Sequence, residues 1–318
     1  MVARILSLKW SAVLLVAIAS VIPAQNSREE TEKIHTLRMG VDLVLVDATV
    51  TESKHESPVR DLKLENFQII EDKIIQDISS YSTEDVPVSV GVIFDISGSM
   101  KDKLKNAIKA AQTFFRSGTA EDEYFLIEFS SRPQIAADFT SDISKLQIGF
   151  LNVKTKGSTA LYDAVYLGLT KLKQSSNPKK ALLLITDGED NHSRYSFRNL
   201  RDYVREQDVK LYAIGMLDPK TGNGRLALRQ LTELTGGRAY FPFSSYDISE
   251  ICKKIAAELK NQYVLGYRST NTAHDGEWRK IKVKLVGSRD RPDVHGLKVR
   301  ARKGYFAPSG DTISAKRK

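Results

Sequence analysis

The stretch Phe94-Asp95-Ile96-Ser97-Gly98-Ser99-Met100 places one carboxylate and two hydroxyls on a single short loop. Gly98 gives that loop its freedom to turn. Short oxygen side chains of this kind are hard donors, suited to Mg²⁺, Mn²⁺ or Ca²⁺ rather than to a metal that seeks thiolates. Two further segments end in matching chemistry. Thr186-Asp187-Gly188 offers a second carboxylate, and Gly157-Ser158-Thr159 another hydroxyl. Taken singly, each has a plainer reading, because Ser and Asp are common helix caps and Thr159 can cap the helix that follows it. Taken together, each at the end of a strand or the start of a helix, Asp95, Ser97, Ser99, Thr159 and Asp187 read as one divalent-metal site. Two carboxylates nearly balance a divalent cation and hydroxyls add no charge. An incoming Asp or Glu of a protein partner can then complete the shell.

Other chemistries fit less well. A hydrolase working through the same metal would need a base, and His192 in TDGEDNHS is the candidate. No second residue is placed to orient its imidazole, so His192 reads as a surface-loop residue and no catalytic residue is assigned. The D-x-S pattern lacks the second aspartate of a D-x-D phosphotransferase. Lys156-Gly157-Ser158-Thr159 has the wrong order for a phosphate-cradling loop, and no His/Cys spacing suits zinc. Glu189 and Asp190 read as solvated loop acids. Asn191-His192-Ser193 fits a glycosylation acceptor. A third possibility is a structural module whose metal merely braces three loops.

The elements that must position these residues follow from period. SVGVIF and ALLLIT are continuous apolar runs, the pattern of parallel strands buried on both faces. Between and after them come helical segments and the strands YFLIEF, KLYAIG and AYF. In KDKLKNAIKAAQTFF the residues Leu104, Ile108, Ala111 and Phe115 line one helical face. Such alternation predicts an α/β fold, a doubly wound and mostly parallel sheet flanked by helices. Ligands of such sheets bind beyond the carboxyl ends of the strands, where strand order reverses. Cys252, the only cysteine, falls in line with Ile248, Ile251 and Ile255 and reads as a small buried hydrophobe.

Strand patterns also flank this core: VDLVLVDATV and FQIIEDKIIQDISSYS before it, QYVLGYR, WRKIKVKLV and HGLKVRARKGYFAP after it. Together they predict a small all-β, sandwich-like domain into which the α/β domain is inserted. Tyr263, Tyr267 and Tyr305 are expected as half-buried strand residues. The resulting division is a signal peptide at 1–24, a flexible leader at 25–37, a β region at 38–85, the α/β domain at 86–261, a second β region at 262–308 and a basic tail at 309–318.

Composition agrees with a globular chain: 41% hydrophobic, 27% charged, formal charge +9. The positive excess forms no stripe interleaved with aromatics, so a nucleic-acid partner is not expected. Arg4 and Lys9 precede the apolar run Ser11 to Ile22 and small residues at Ala19 and Ala24, the pattern of a secretory signal. That run falls short of the roughly 20 apolar residues of a spanning helix, so membrane contact is expected only if the segment stays uncleaved. The protein is expected to be secreted or in the periplasm or cell envelope.

The D-x-S-x-S, threonine and aspartate set resembles the metal-ion-dependent adhesion site of von Willebrand factor type A (VWA) domains. The resemblance covers about Val86 to Leu259, with all five positions filled. It implies a VWA/Rossmann-like fold, with Ser97, Ser99 and Thr159 reaching the metal through hydroxyl oxygens and Asp95 and Asp187 acting directly or through water. The cation implied is Mg²⁺ ahead of Mn²⁺ or Ca²⁺, with no small-molecule cofactor and a protein ligand presenting Asp or Glu. The flanks resemble bacterial exported proteins described as VWFA-related, which implies no defined activity.

Overall fold

Alternation in the first flank is what turns it into strands. In β1 (Leu43–Glu52) the side chains of Val46, Ala48 and Val50 are buried, while Leu43 and Leu45 stay exposed. β2 (Phe67–Glu71), β3 (Ile74–Gln76) and β4 (Ile78–Ser82) follow. This computed structural model describes residues 43–309 apart from 84–85, 152 and 218–222. The expected signal, the leader and all but the first residue of the tail lie outside the described residues. Among the described residues no helix is long and apolar enough to cross a membrane.

Strand and helix then alternate: β5 (Val88–Asp95), α1 (Leu104–Arg116), β6 (Glu123–Phe129), β7 (Pro133–Thr140), α2 (Ile143–Ile148), α3 (Leu161–Leu172), β8 (Lys179–Thr186) and α4 (Phe197–Arg205). β9 (Lys210–Gly215), α5 (Asn223–Leu234), β10 (Arg238–Tyr240) and α6 (Ser245–Lys260) complete the series. The sheet runs β10-β9-β8-β5-β6-β7, parallel except for the antiparallel edge β7. Its order reverses between β5 and β8, which places the switch point between Asp95 and Thr186.

Both faces are packed, which is why β5 is buried at every residue. On one face Val90, Val92 and Phe94 meet Phe114 and Phe115 of α1 and Cys252 and Ile255 of α6. On the other, Ile93, Leu182 and Leu184 meet Leu161 and Leu169 of α3, Leu200 of α4 and Leu228 of α5. Burying each such Leu, Ile or Phe contributes about 2 kcal/mol. The α1 face differs from the expectation. Ala107, Ala110 and Ala111 are fully buried with Phe114 and Phe115, while Leu104 and Ile108 are only partly covered. Small residues are needed there because α6 comes close, its Cys252 thiol donating to the Ala110 carbonyl at 3.2 Å. Cys252 is the small buried hydrophobe expected, and burial pushes its thiol up to about 12.

After α6 come β11 (Tyr263–Arg268), β12 (Trp278–Leu285), β13 (Leu297–Arg300) and β14 (Gly304–Phe306). Strands from the two flanks interleave into two antiparallel sheets, β13-β1-β11-β4 and β14-β12-β2-β3. Val46 and Leu265 of the first share one core with Ile69, Ile281 and Val283 of the second. Two details depart from the sequence reading. HGLKVRARKGYFAP is two strands in different sheets; at the crossing Lys303 donates its N–H to Leu234 of α5 and accepts from Ile281. Tyr263 and Tyr267 are fully buried rather than half-buried, because polar groups wait for their hydroxyls. Tyr263 donates to the Val59 carbonyl at 2.8 Å, and Tyr267 and Tyr305 donate to the buried Glu71 carboxylate at 2.5 and 3.0 Å.

Candidate metal centre

Asp95 is the last residue of β5 and Asp187 the first after β8, one on each side of the switch point. Beyond β5 the chain is held by the neighbouring strand end, Ile96 N–H donating to the Phe129 carbonyl at 2.8 Å. It then turns at once, Ser97 N–H donating to Asp95 Oδ1 at 2.8 Å, and passes through a single 3₁₀ turn, Gly98–Met100. The Ser97 and Ser99 hydroxyl oxygens finish 3.1 Å apart.

The other two loops are tied to this one. Gly98 N–H donates to the Gly157 carbonyl at 3.1 Å and Lys156 N–H to the Ile96 carbonyl at 2.9 Å. Gly157, whose carbonyl receives the Gly98 bond, adopts the left-handed conformation at φ 77°, which a glycine takes without strain. Thr159 is gripped from the third loop: its N–H donates to Asn191 Oδ1 at 2.8 Å, and its carbonyl accepts from Asn191 and His192 N–H, both at 3.0 Å. Thr186 closes the circle, its hydroxyl donating to Asp95 Oδ2 at 2.6 Å and accepting from Gly188 N–H at 3.0 Å. All five candidate residues therefore stand on three interlocked loops.

The plainer roles for the hydroxyls are not taken up. The residue capping α3 is Ala160, not Thr159, and Ser97 precedes its 3₁₀ turn without a side-chain cap bond. Asp95, Ser97, Thr159 and Asp187 are buried, while Ser99 is exposed and opens the cluster to solvent. Burial raises the Asp95 carboxyl to about 6, the charge of Asp187 adding to it while hydrogen bonds from Ser97 and Thr186 oppose it. Asp187 Oδ2 accepts from the Lys103 ammonium at 3.3 Å. Among the described residues no three His, Cys, Asp or Glu side chains gather in one place, so a cation here would rest on two carboxylates and the hydroxyls. Such hard, doubly anionic donors fit Mg²⁺, Mn²⁺ or Ca²⁺.

The surrounding loop corrects one expectation and refines others. Asp190 is not a solvated acid: its Oδ1 accepts from Tyr162 N–H at 3.2 Å and from the Ser193 hydroxyl at 2.5 Å, tying the loop to α3. Glu189 is exposed. His192 is exposed too, and among the described residues no side chain orients its ring. Asp163 of α3 accepts from Arg194 and Tyr195 N–H at 3.0 and 3.1 Å and fixes the far side of the loop. Sequence reasoning missed Lys103, Thr186 and Asn191. The only local signal was a threonine beside Asp187 and an asparagine four residues beyond it.

A family model, von Willebrand factor type A domain, matches residues 89–257. Inter-alpha-trypsin inhibitor heavy chain H2 of Sus scrofa is 19% identical over 173 residues, covering 49% of this chain and 18% of that one. This chain thus spans far less than the whole of that relative. Among solved structures, a von Willebrand factor type A protein from Catenulispora acidiphila is 12% identical with a TM-score of 0.48, covering 86% of this chain and 75% of that one. The conserved hypothetical protein BatB from Bacteroides thetaiotaomicron is 17% identical with a TM-score of 0.46, covering 55% of this chain and all of its own. The vWF domain of the type V pili tip protein Mfa5 from Porphyromonas gingivalis is 13% identical with a TM-score of 0.48, covering 57% and 98%.

Proposed function

Because the chain belongs to the von Willebrand factor type A domain family, we propose that Asp95, Ser97, Ser99, Thr159 and Asp187 hold a divalent cation, Mg²⁺ ahead of Mn²⁺ or Ca²⁺, and that the protein uses it to bind a protein partner through an Asp or Glu. VWA domains commonly bind a divalent cation at a site of this kind. The observation that carries the reading is the interlocking of three loops at the switch point, with two buried carboxylates and the close Ser97–Ser99 pair among them. A cation bound there supplies an open coordination position that a carboxylate can complete with a charge-assisted bond.

The residues of the chain do the rest. Asp95 and Asp187 supply the negative charge, and Thr186 fixes the orientation of Asp95 through its hydroxyl. Asn191 holds the Thr159 backbone in place. Ser99, on the exposed side, marks where a partner approaches. No residue is assigned a catalytic role. The basic, apolar and small-residue pattern up to Ala24 supports action outside the cytoplasm, in the envelope or beyond it.

Titration calorimetry with Mg²⁺ and Mn²⁺ tests the site. Wild type should bind metal, and Asp95→Ala should lose binding while keeping its circular dichroism. A pull-down from the envelope or secreted fraction should recover partners that chelator releases. Wild type that takes up no metal would remove the reading, and partners held equally well in chelator would make the site a structural brace.

A further inference from the structure

The start of α1 breaks a general preference. Helix N-termini carry positive partial charge and favour acids, with Ser, Thr, Asp or Asn at the cap. Here the cap is Lys103, without a side-chain cap bond, and the first turn holds no acid. Asp102, exposed, precedes it, and Lys101 and Lys105 lie two residues away on either side. What compensates Lys103 lies across the candidate metal centre: its ammonium is 3.3 Å from Asp187 Oδ2, a carboxylate that is 5% exposed. The lysine side chain itself is 28% exposed, so it reaches inward from the rim. Its backbone is pinned, the N–H donating to Met100 and the carbonyl accepting from Ala107. The side chain alone is left to move.

We propose that Lys103 is a tethered counter-ion of this site: its ammonium neutralises Asp187 when no metal is bound and gives way when a divalent cation enters. The inference rests on the metal-binding reading above. An ammonium and a divalent cation compete for the same carboxylate, and they repel each other when both are close. Lys103 therefore lowers metal affinity while sparing the empty site an uncompensated buried carboxylate. Once displaced, it stands beside Lys101 on the rim, where a second positive charge favours an acidic partner over a neutral one.

The test uses the full chain as wild type, Lys103→Met and Lys103→Arg, titrated with MgCl₂ at low salt and melted with and without chelator. Lys103→Met should bind Mg²⁺ about three- to tenfold more tightly than wild type, as expected for loss of a partly exposed ion pair. It should also melt lower than wild type in chelator and show the larger metal-induced rise in Tm. Lys103→Arg keeps the charge and should stay within about twofold of wild type. Equal or weaker Mg²⁺ binding by Lys103→Met, with wild type binding normally, overturns this inference and leaves the metal site standing. Absence of Mg²⁺ binding in all three proteins overturns both.

Discussion

Asp95 is a group through which acidification should stabilise the metal-free protein. Loss of hydration raises the buried Asp95 carboxyl from 3.8 to about 6. A carboxyl whose folded value lies above its unfolded value keeps a proton in the folded chain that the unfolded chain has already released. Through the window between those two values the folded state binds more protons, so stability falls as pH rises. The contribution is fully present below the lower value and gone above the upper one. A displacement of this size corresponds to about 3 kcal/mol. Acid denaturation usually runs the other way, which makes the sign informative.

The assay is urea unfolding in chelator, from about pH 7 down to about pH 4, on wild type and Asp95→Asn. Asparagine keeps the shape of the side chain and has no proton to release. Taking the difference between the two proteins cancels the acids that do not interact with Asp95, including Glu128, whose carboxyl burial also raises. Across the window wild type should gain on the variant by about 3 kcal/mol. Mg²⁺ selects the ionised carboxylate, so metal affinity of wild type should drop about tenfold per pH unit below pH 6. Parallel profiles for the two proteins would mean that Asp95 stays ionised in the fold, and the burial argument would fail.

Four further outcomes are expected. Thr186→Val removes the hydroxyl joining Asp95 to Gly188 and leaves a buried N–H without its acceptor, so urea unfolding near pH 7 should report a loss of about 2–3 kcal/mol. Gly224→Ala brings a Cβ within 2.3 Å of the Asp187 carbonyl oxygen and 2.7 Å of Gly188 C, both backbone atoms. Calorimetry should therefore record weaker Mg²⁺ binding, with about 1–3 kcal/mol of stability lost. Tyr267→Phe withdraws a donor from buried Glu71 and should cost about 1–3 kcal/mol while leaving Mg²⁺ affinity unchanged, since the change falls in the β sandwich. Cys252, buried and with its thiol raised, should react with a disulfide reagent only as the protein unfolds.

What the sequence made legible divides along physical lines. β5, β8 and β9 could be read because strands covered on both faces carry mostly apolar residues, and that signal is local. β7 could not, because PQIAADFT lies at a half-exposed edge and carries neither a continuous apolar run nor a clean alternation. α2, with six residues and one buried side chain, is too short to show a period. The same division runs through the site. The residues proposed as its oxygen donors could be picked out because their types cluster in short motifs at strand ends. The groups that hold them could not, because each acts across the fold. Thr186 reaches Asp95 over 91 residues, Lys103 reaches Asp187 over 84, and Asn191 reaches Thr159 over 32. A donor list names atoms that can bind a cation; these long-range contacts decide whether the carboxylates are paired, oriented and protonated before one arrives. Affinity and pH response should therefore follow Thr186 and Lys103 as closely as the motif residues themselves.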